Sequence, residues 1–479
     1  MLVRNSLLGF VPQALGVVIS VVTVPLYLNL VGPERYGALL MAFVFLGYFG
    51  QADFGLGRAV TQRLSAIRDH PPSEWASVVW SAIAGASVIS LAGACLIYLA
   101  TSWFFQSSFD VAPVIRAEIL RSTWLFALFV PLIMFTGVAS GALAGLERFE
   151  ANALGTTLAN TLSQVLPLVV AAFHSLDFAW LLGASLLGRV AGLVPILVSM
   201  VRFLLRGHPV APSRTHLHTL FSYGSWIMVT AIVGPLMWTA DRLVIGGVLG
   251  AVAVVAYSVP AQIAQRTALF PMAISQALFP RLAAKADAES LALGEVSVVF
   301  VGQLYALLVI GLICLAAPLM ALWLGDKLDP RSVWVGQIIL AGWWINGLAG
   351  VPYTLIQARG NSRYTAMLHV FELPIYAILL YALGAAFGLA GVALAFAARM
   401  LLDCALLFHK GGLLETGVIA RLAWPAALMG VALAAAPLMQ DWLSALAGAS
   451  VLSTALLAVT WFQMPEQVRD WLHLRLGRR

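Results

Sequence analysis

Residues 30–65 read LVGPERYGALLMAFVFLGYFGQADFGLGRAVTQRLS, and this stretch decides the fold. A Gly32-Pro33 turn opens an apolar run long enough to cross a bilayer. The run carries Gln51 and Asp53 in its last turns and closes on a basic flank of Arg58, Arg63 and Arg68. A spanning helix that keeps a carboxylate and an amide in its lower half faces something other than lipid. Ionisable groups persist at membrane depth only where a partner or water receives them.

Composition extends this reading to the whole chain. Of 479 residues, 61% are hydrophobic and 10% charged, with a mean hydropathy of +0.93. A soluble protein carries about a quarter charged residues. Apolar runs of spanning length recur from end to end, about fourteen in all, the first centred near Val18 and the last near Leu452. The first run is no cleaved signal peptide: it is too long, contains Pro12 and Pro25, and lacks a small-residue cleavage site. Cys95, Cys314 and Cys404 all lie in apolar runs, which disfavours disulfides and thiolate metal sites. The chain therefore reads as an all-α polytopic membrane protein, with no cofactor expected.

Lysine and arginine set the expected orientation. Eighteen collect on the side of the N-terminus, among them Arg4, Arg58, Arg63, Arg68, Arg148 and the basic tail. Five collect on the opposite side, Arg35, Arg116, Arg121, Lys327 and Arg331, and four fall within spans, Arg189, Arg242, Arg266 and Arg399. Both termini are thus expected in the cytoplasm. The longest outer loop runs only from near Phe104 to Glu118, and the longest inner one from near Arg202 to His218. Loops this short argue against a membrane polymerase or glycosyltransferase. The sequence contains no G-x-x-x-x-G-K-[ST] phosphate loop, no H-E-x-x-H and no G-x-S-x-G, so none of these routes to hydrolysis is available. His216 and His218 lie in a basic loop and read as solvated side chains.

A repeat is visible. Gly32 is followed 31 residues later by Arg63-Leu64-Ser65-Ala66, and Gly250 is followed at the same distance by Arg281-Leu282-Ala283-Ala284. The pattern G-x-x-R-aromatic-x-A occurs from Gly145 to Ala151 and again from Gly360 to Ala366. These matches lie 218 and 215 residues apart, and the sixth span of each half carries one arginine, Arg189 or Arg399. The expected organisation is a six-helix bundle over 1–201, a cytoplasmic linker over 202–219 and a second six-helix bundle over 220–410. Two further spans and a basic cytoplasmic tail fill 411–479. Six spans per half is even, so the halves share one orientation, a parallel repeat of the kind found in transporters.

Asn5-Ser6, the run Leu30-Val31-Gly32-Pro33-Glu34-Arg35-Tyr36-Gly37 and Asp53-Phe54-Gly55-Leu56-Gly57 resemble bacterial polysaccharide flippases. These belong to the multidrug/oligosaccharidyl-lipid/polysaccharide exporter superfamily. The Gly145–Phe149 turn and Asp241-Arg242-Leu243 before Gly250 fit the same pattern, and the resemblance covers roughly the first twelve spans. It implies a flippase of the bacterial inner membrane that moves polyprenyl-diphosphate-linked oligosaccharide, such as an O-antigen unit, to the periplasmic leaflet. The implied mechanism is alternating access through a cationic cavity between the halves. Polymerase and glycosyltransferases of the same pathway are the implied protein partners, with no nucleic acid. Relatives that flip the peptidoglycan precursor, and small-molecule efflux pumps of the same superfamily, are the alternatives. A membrane scaffold for the assembly enzymes is the reading outside transport.

An arginine at mid-bilayer costs about 2.5–3.5 kcal/mol on insertion scales, so those within spans must face partners or a wet cavity. Arg266 lies between Pro260 and Pro271 in YSVPAQIAQRTALFP, with Gln262 and Gln265 beside it and no acid three or four residues away. It is the first candidate to hold the diphosphate by charge-assisted hydrogen bonds, against a cross-helix salt bridge to Asp53. Arg242, Arg58 and Arg189 are the other diphosphate candidates. Asp53, Glu372 and Asp241 are candidate ion-coupling acids or arginine counter-ions, and Gln51, Gln262 and Gln265 candidate cavity lining. Arg399 and Asp403, one helical turn apart, read as a structural pair at the depth of Glu372. Trp103, Trp180, Trp323, Trp334, Trp442 and Trp461 read as interfacial anchors.

Overall fold

The structure, a computed structural model, describes residues 2–51, 55–284 and 287–463, with side chains described outside 2–14, 48–51, 222–235 and 238. Sixteen α-helices account for nearly all of it, and no strand occurs among the described residues. They are α1 (Leu2–Leu30), α2 (Gly32–Gln51), α3 (Leu56–Ala66), α4 (Pro72–Ser107), α5 (Pro113–Arg121), α6 (Thr123–Gly145), α7 (Phe149–Phe173) and α8 (Phe178–Met200). There follow α9 (Arg214–Val248), α10 (Gly250–Thr267), α11 (Leu269–Ala283), α12 (Asp287–Leu324), α13 (Arg331–Ala358), α14 (Ser362–Gly411), α15 (Thr416–Ala435) and α16 (Trp442–Gln463).

Nine helices among the described residues are long and apolar enough to cross a membrane. One of them, α14, is 50 residues long and bends back at Gly388, whose φ of 60° and ψ of −140° are non-helical, so it makes two passages. Adding α1, α2 with α3, α9, and α10 with α11 gives fourteen. The short helix α5 links two passages and is not itself a span. Side chains such as Val88, Leu91, Phe173 and Leu443 are more than two-thirds exposed on the long helices. Apolar exposure on that scale is lipid-facing surface.

The chain forms two compact units, Met1–Val255 and Ala256–Arg479. In the first, α7 and α8 meet through small residues. A Cβ on Gly188 would fall 2.5 Å from the carbonyl carbon of Leu162, and one on Gly192 2.5 Å from the Gly155 oxygen. Such residues let helix backbones approach in lipid, where no hydrophobic force drives association. Gly57 of α3 and Gly141 of α6 make another close crossing, sealed by the Thr61 hydroxyl donating to Gly141 O at 3.0 Å. An aromatic nest of Phe45, Phe104, Phe105, Phe109 and Phe126 fills the space between α2, α4 and α6. The linker before α9 is fastened to α4. Ser77 donates to Ala211 O at 2.8 Å, and Ser81 accepts from Ser213 N at 2.8 Å.

In the second unit α13 is the buried centre, enclosed along most of its length from Ser332 to Ile356. Its Trp344 indole donates to Gly302 O of α12 at 2.9 Å, and Gln337 donates to Ile313 O at 3.0 Å. On its other side Phe396 of α14 closes over Gly342. Helices α15 and α16 pack against α12, Leu422 resting on Gly302.

The repeat has a backbone signature. Gly32 and Gly250 both stand at the head of a helix with φ of 78° and 84°, the left-handed region that glycine enters without penalty. In each, a break follows within the second span, at the left-handed Gly55 (φ 72°) before α3 and at Ala268 between α10 and α11. The other turn differs from the sequence match. Helices α6 and α13 end at Gly145 and Ala358, α7 and α14 begin at Phe149 and Ser362, and the left-handed corner residues are Glu147 and Gly360. All three differences are 213, not the 215 of the motif. The two motif glycines do different work. Gly145 makes room for Thr61 and Leu64, each 2.9 Å from where its Cβ would lie, while Gly360 supplies the left-handed φ.

Candidate functional site

The stretch that opens the second span organises one corner of the first unit. The Glu34 carboxylate accepts the Ala112 N–H at 2.7 Å, capping α5. Arg35 Nη2 meets Glu118 Oε1 at 2.7 Å, and Glu118 Oε2 accepts the Phe178 N–H at the start of α8 at 3.0 Å. Asp110 N donates to Gly246 O, and Asp110 O accepts from Ala251 N at 3.0 Å. Gly37 lies so close to Ala251 that no side chain fits between them. The Gly-Pro-Glu-Arg run is thus a staple joining α2, α5 and α8. Glu118, at the end of the short outer loop, is its hub. The signal available was an acid among Arg116 and Arg121 in an otherwise short loop.

Within the same unit Asp241 is buried at 5% exposure, its Oδ1 accepting Arg242 N at 2.7 Å and lying 3.5 Å from Arg242 Nη1. Arg189 on α8 stands 5.0 Å over the Phe129 ring of α6, and its buried Nε has no hydrogen-bond partner among the described residues. A ring face attracts a guanidinium by its quadrupole, which offsets part of the burial cost. Arg58 is exposed on α3. Asp53 lies outside the described residues, as does the side chain of Gln51. A further polar surface was not singled out in the sequence. Asn152, Asn160 and Gln164 form a half-buried row on α7, where Ser20 of α1 donates to Gln164 Oε1 at 3.0 Å and Tyr27 to Gln164 O at 2.7 Å. The spacing of four and eight residues was legible, but the individual amides were masked by the apolar run around them.

In the second unit Arg266 stands two residues before the α10–α11 break, exposed and with no ion pair among the described residues. Gln265 is exposed and Gln262 half-buried on the same helix, and Thr267 shares a 2.6 Å hydrogen bond with Tyr305. The break is a kink: Ala268 keeps helical angles, its N–H donates to Gln265 O at 3.2 Å and its carbonyl accepts the Met272 N–H at 3.1 Å, while Pro271, which has no N–H, removes the helical donor to the Thr267 carbonyl. Elsewhere in this unit the two arms of α14 bring Glu372 and Asp403 together with His369, each offering an atom within 4.8 Å of the others. Arg399 is buried beside them, its guanidinium 5.1 Å over the Tyr376 ring and its Nη2 3.4 Å from Met400 Sδ. The sequence pointed to Glu372, Arg399 and Asp403 but missed His369, although it lies three residues before Glu372 on the same helix face.

Fourteen passages, interrupted second spans and buried charges define a multi-pass membrane protein with a transporter fold. The model of the polysaccharide biosynthesis protein family matches residues 2–286. The chain belongs to that family. It is 27% identical over 419 residues to a putative O-antigen transporter of Shigella flexneri, covering 85% of this chain and 96% of that protein. Among solved structures it is similar to the lipid II flippase MurJ in an inward closed conformation, with a TM-score of 0.72 at 15% identity over 98% of this chain and all of the other. It is also similar to an inward-facing multidrug resistance MATE family transporter of the MOP superfamily, with a TM-score of 0.66 at 15% identity over 87% and 96% of the two chains. Both likenesses concern the fold.

Proposed function

We propose that the protein is a flippase that carries polyprenyl-diphosphate-linked oligosaccharide from the cytoplasmic to the periplasmic leaflet of the bacterial inner membrane. The transported units feed O-antigen or another surface polysaccharide. The observation that carries this reading is the O-antigen transporter relative, matched over 96% of its length. Both termini lie in the cytoplasm, which the distribution of lysine and arginine supports. The halves of the repeat are 1–201 and 220–410, joined by the linker 202–219 and followed by two added spans. The chain does no chemistry on its cargo. Polymerase and glycosyltransferases of the same route are its protein partners.

A hydroxyl-rich headgroup cannot enter hydrocarbon, whereas the polyprenyl tail stays in lipid, so the protein offers polar surface that opens to each side in turn. Arg266 is assigned the diphosphate. Its support is an exposed guanidinium at a helix interruption with polar neighbours and no acid partner among the described residues. Arg58, Arg242 and Arg189 are assigned secondary contacts with the anion as it moves. Asp53, Glu372 and Asp241 serve as counter-ions or coupling acids, Gln51, Gln262 and Gln265 line the path, and Arg399 stands with Asp403 as a buried charged pair within α14. A membrane potential negative inside favours outward movement of the anion by about 2.3 kcal/mol per charge per 100 mV, hence roughly 4–5 kcal/mol for a diphosphate.

The likeness to MurJ favours one second reading, flipping of the peptidoglycan precursor. Cells lacking the gene and carrying Arg266→Ala, Arg266→Lys or the unaltered gene separate the possibilities. Lipid-linked oligosaccharide should accumulate with the alanine allele and partly with lysine, a point charge without the bidentate fork. Normal surface polysaccharide with Arg266→Ala removes Arg266 from the site. Accumulation of peptidoglycan precursor instead of oligosaccharide replaces the cargo.

A further inference from the structure

We propose that His369, Glu372 and Asp403 form a site for one exchangeable proton inside the second unit, with Arg399 as its standing positive charge and His369 as its entrance.

The first support is burial without partners. Glu372 is 2% exposed, Asp403 4% and Arg399 4%. Both carboxylate oxygens of Glu372, and Oδ1 of Asp403, are sealed from solvent and meet no donor group among the described residues; the two carboxyl groups lie within hydrogen-bonding reach of each other. A native interior rarely leaves such oxygens unmatched, and each such case needs an occupant or a role. One oxygen of Glu372, one of Asp403 and a ring nitrogen of His369 lie within 4.8 Å of one another, so the three side chains meet in a common space.

The second support is charge. Among the described residues two carboxylates against one guanidinium leave one negative charge over, and an uncompensated buried ion is among the costliest groups a fold can hold. One further positive charge restores balance. A divalent cation would overshoot it, leaving the group positive. Hard metal ions also take six or more oxygens, or keep water in their place, whereas here two carboxylates and one imidazole stand beside a guanidinium that repels cations. A proton needs neither space nor a coordination shell, and two carboxyl groups at close range hold one readily.

The third support is a way in. Among the three cluster residues only His369 is half-buried; it lies one turn nearer than Glu372 to the start of α14 at Ser362. An imidazole can take a proton on one nitrogen and release another from its second. Its ring packs against Tyr353 of α13, with centroids 6.2 Å apart. Among the described residues, the other titratable groups facing the cluster are Tyr376, beneath Arg399, and Cys404, next to Asp403.

Glu372 and Asp403 sit on opposite arms of α14, which turns at Gly388. Proton loss therefore sets two carboxylates against each other across a bent helix, and proton gain relaxes them. On the flippase reading this ties proton exchange to the state of the second unit; the proton site itself does not depend on that reading.

The test uses the full chain in lipid nanodiscs and infrared difference spectra between alkaline and acidic buffers. A protonated-carboxyl band is expected that titrates with pH and shifts in D2O. Glu372→Gln and Asp403→Asn should each remove or displace it, and His369→Phe should keep it while slowing its deuterium exchange severalfold. Where a variant does not give a homogeneous protein, 13C-labelled aspartate and glutamate in the unaltered chain identify the band. Absence of any such band overturns the proposal, as does a band unmoved by both substitutions. A band that disappears on adding sodium chloride at constant pH assigns the space to a metal cation and also overturns it. In parallel, flipping in proteoliposomes should respond to an imposed pH gradient and lose that response in Glu372→Gln. If the unaltered protein flips nothing, the flippase reading fails, and the spectrum still decides the site.

Discussion

Replacing Arg35 by methionine and Glu118 by leucine, singly and together, measures what holds the α2–α5–α8 corner. The pair is close, 2.7 Å from Nη2 to Oε1, with side chains only 16% and 10% exposed. Surface pairs are worth about 0–1 kcal/mol, because water and salt screen them. Breaking a fully buried pair costs about 3–5 kcal/mol, because the remaining charge is stranded. The slight exposure here lowers that figure. Arg35→Met leaves Glu118 with the Phe178 N–H and should cost about 2 kcal/mol. Glu118→Leu strands Arg35 and also orphans the Phe178 N–H, for about 3 kcal/mol. In the double variant no charge is stranded, and apolar replacements of a buried pair are often neutral. Only the orphaned N–H and some repacking remain, about 2 kcal/mol. The resulting coupling is near 3 kcal/mol, the upper end for residues in contact. Reversible unfolding of the four proteins in mixed micelles supplies the cycle. Single costs that sum to the double within about 0.5 kcal/mol would show the pair to be a bystander and refute this reasoning.

Other outcomes can be stated more briefly. Gly188→Ala should destabilise the α7–α8 crossing by about 1–3 kcal/mol, since its methyl would meet the Leu162–Ser163 backbone; Gly183→Ala, with open space around it, is the control that should not. Unfolding midpoints of both variants check this. Asp329, in the turn before α13, is pulled two ways. Burial pushes its carboxyl up, but the hydrogen bonds and charge of Arg331 win and hold it below the usual carboxylate range. A depressed carboxyl stabilises the folded state above its unfolded value near 3.8, and that contribution disappears as pH falls through the lower folded value. Stability of Asp329→Asn should therefore lack this acid-side component. Parallel acid titrations that superimpose would contradict it.

The class of protein was legible because membrane spans are written one residue at a time. A bilayer demands long apolar runs, and the left-handed corners at Gly32 and Gly250 demand glycine, so both are visible in one dimension. The expected repeat draws on the same signals, and at its second turn the helix ends and left-handed corners are 213 residues apart against 215 for the motif. A glycine needed for close packing at Gly145 looks the same in sequence as one needed for its φ at Gly360. Repeat symmetry alone likewise did not say that α9 packs with α2, α3 and α4. Arg266 announced itself by the lack of a local acid. The partners of Arg35 and Glu372 did not announce themselves. Glu118 is 83 residues from Arg35, and Asp403 reaches Glu372 only because α14 turns back at Gly388. Periodicity and charge along the chain determined that this protein spans the membrane many times and keeps cations there. Which charges meet was decided by tertiary structure alone, because pairing depends on distances between helices and on how far each group is taken out of water.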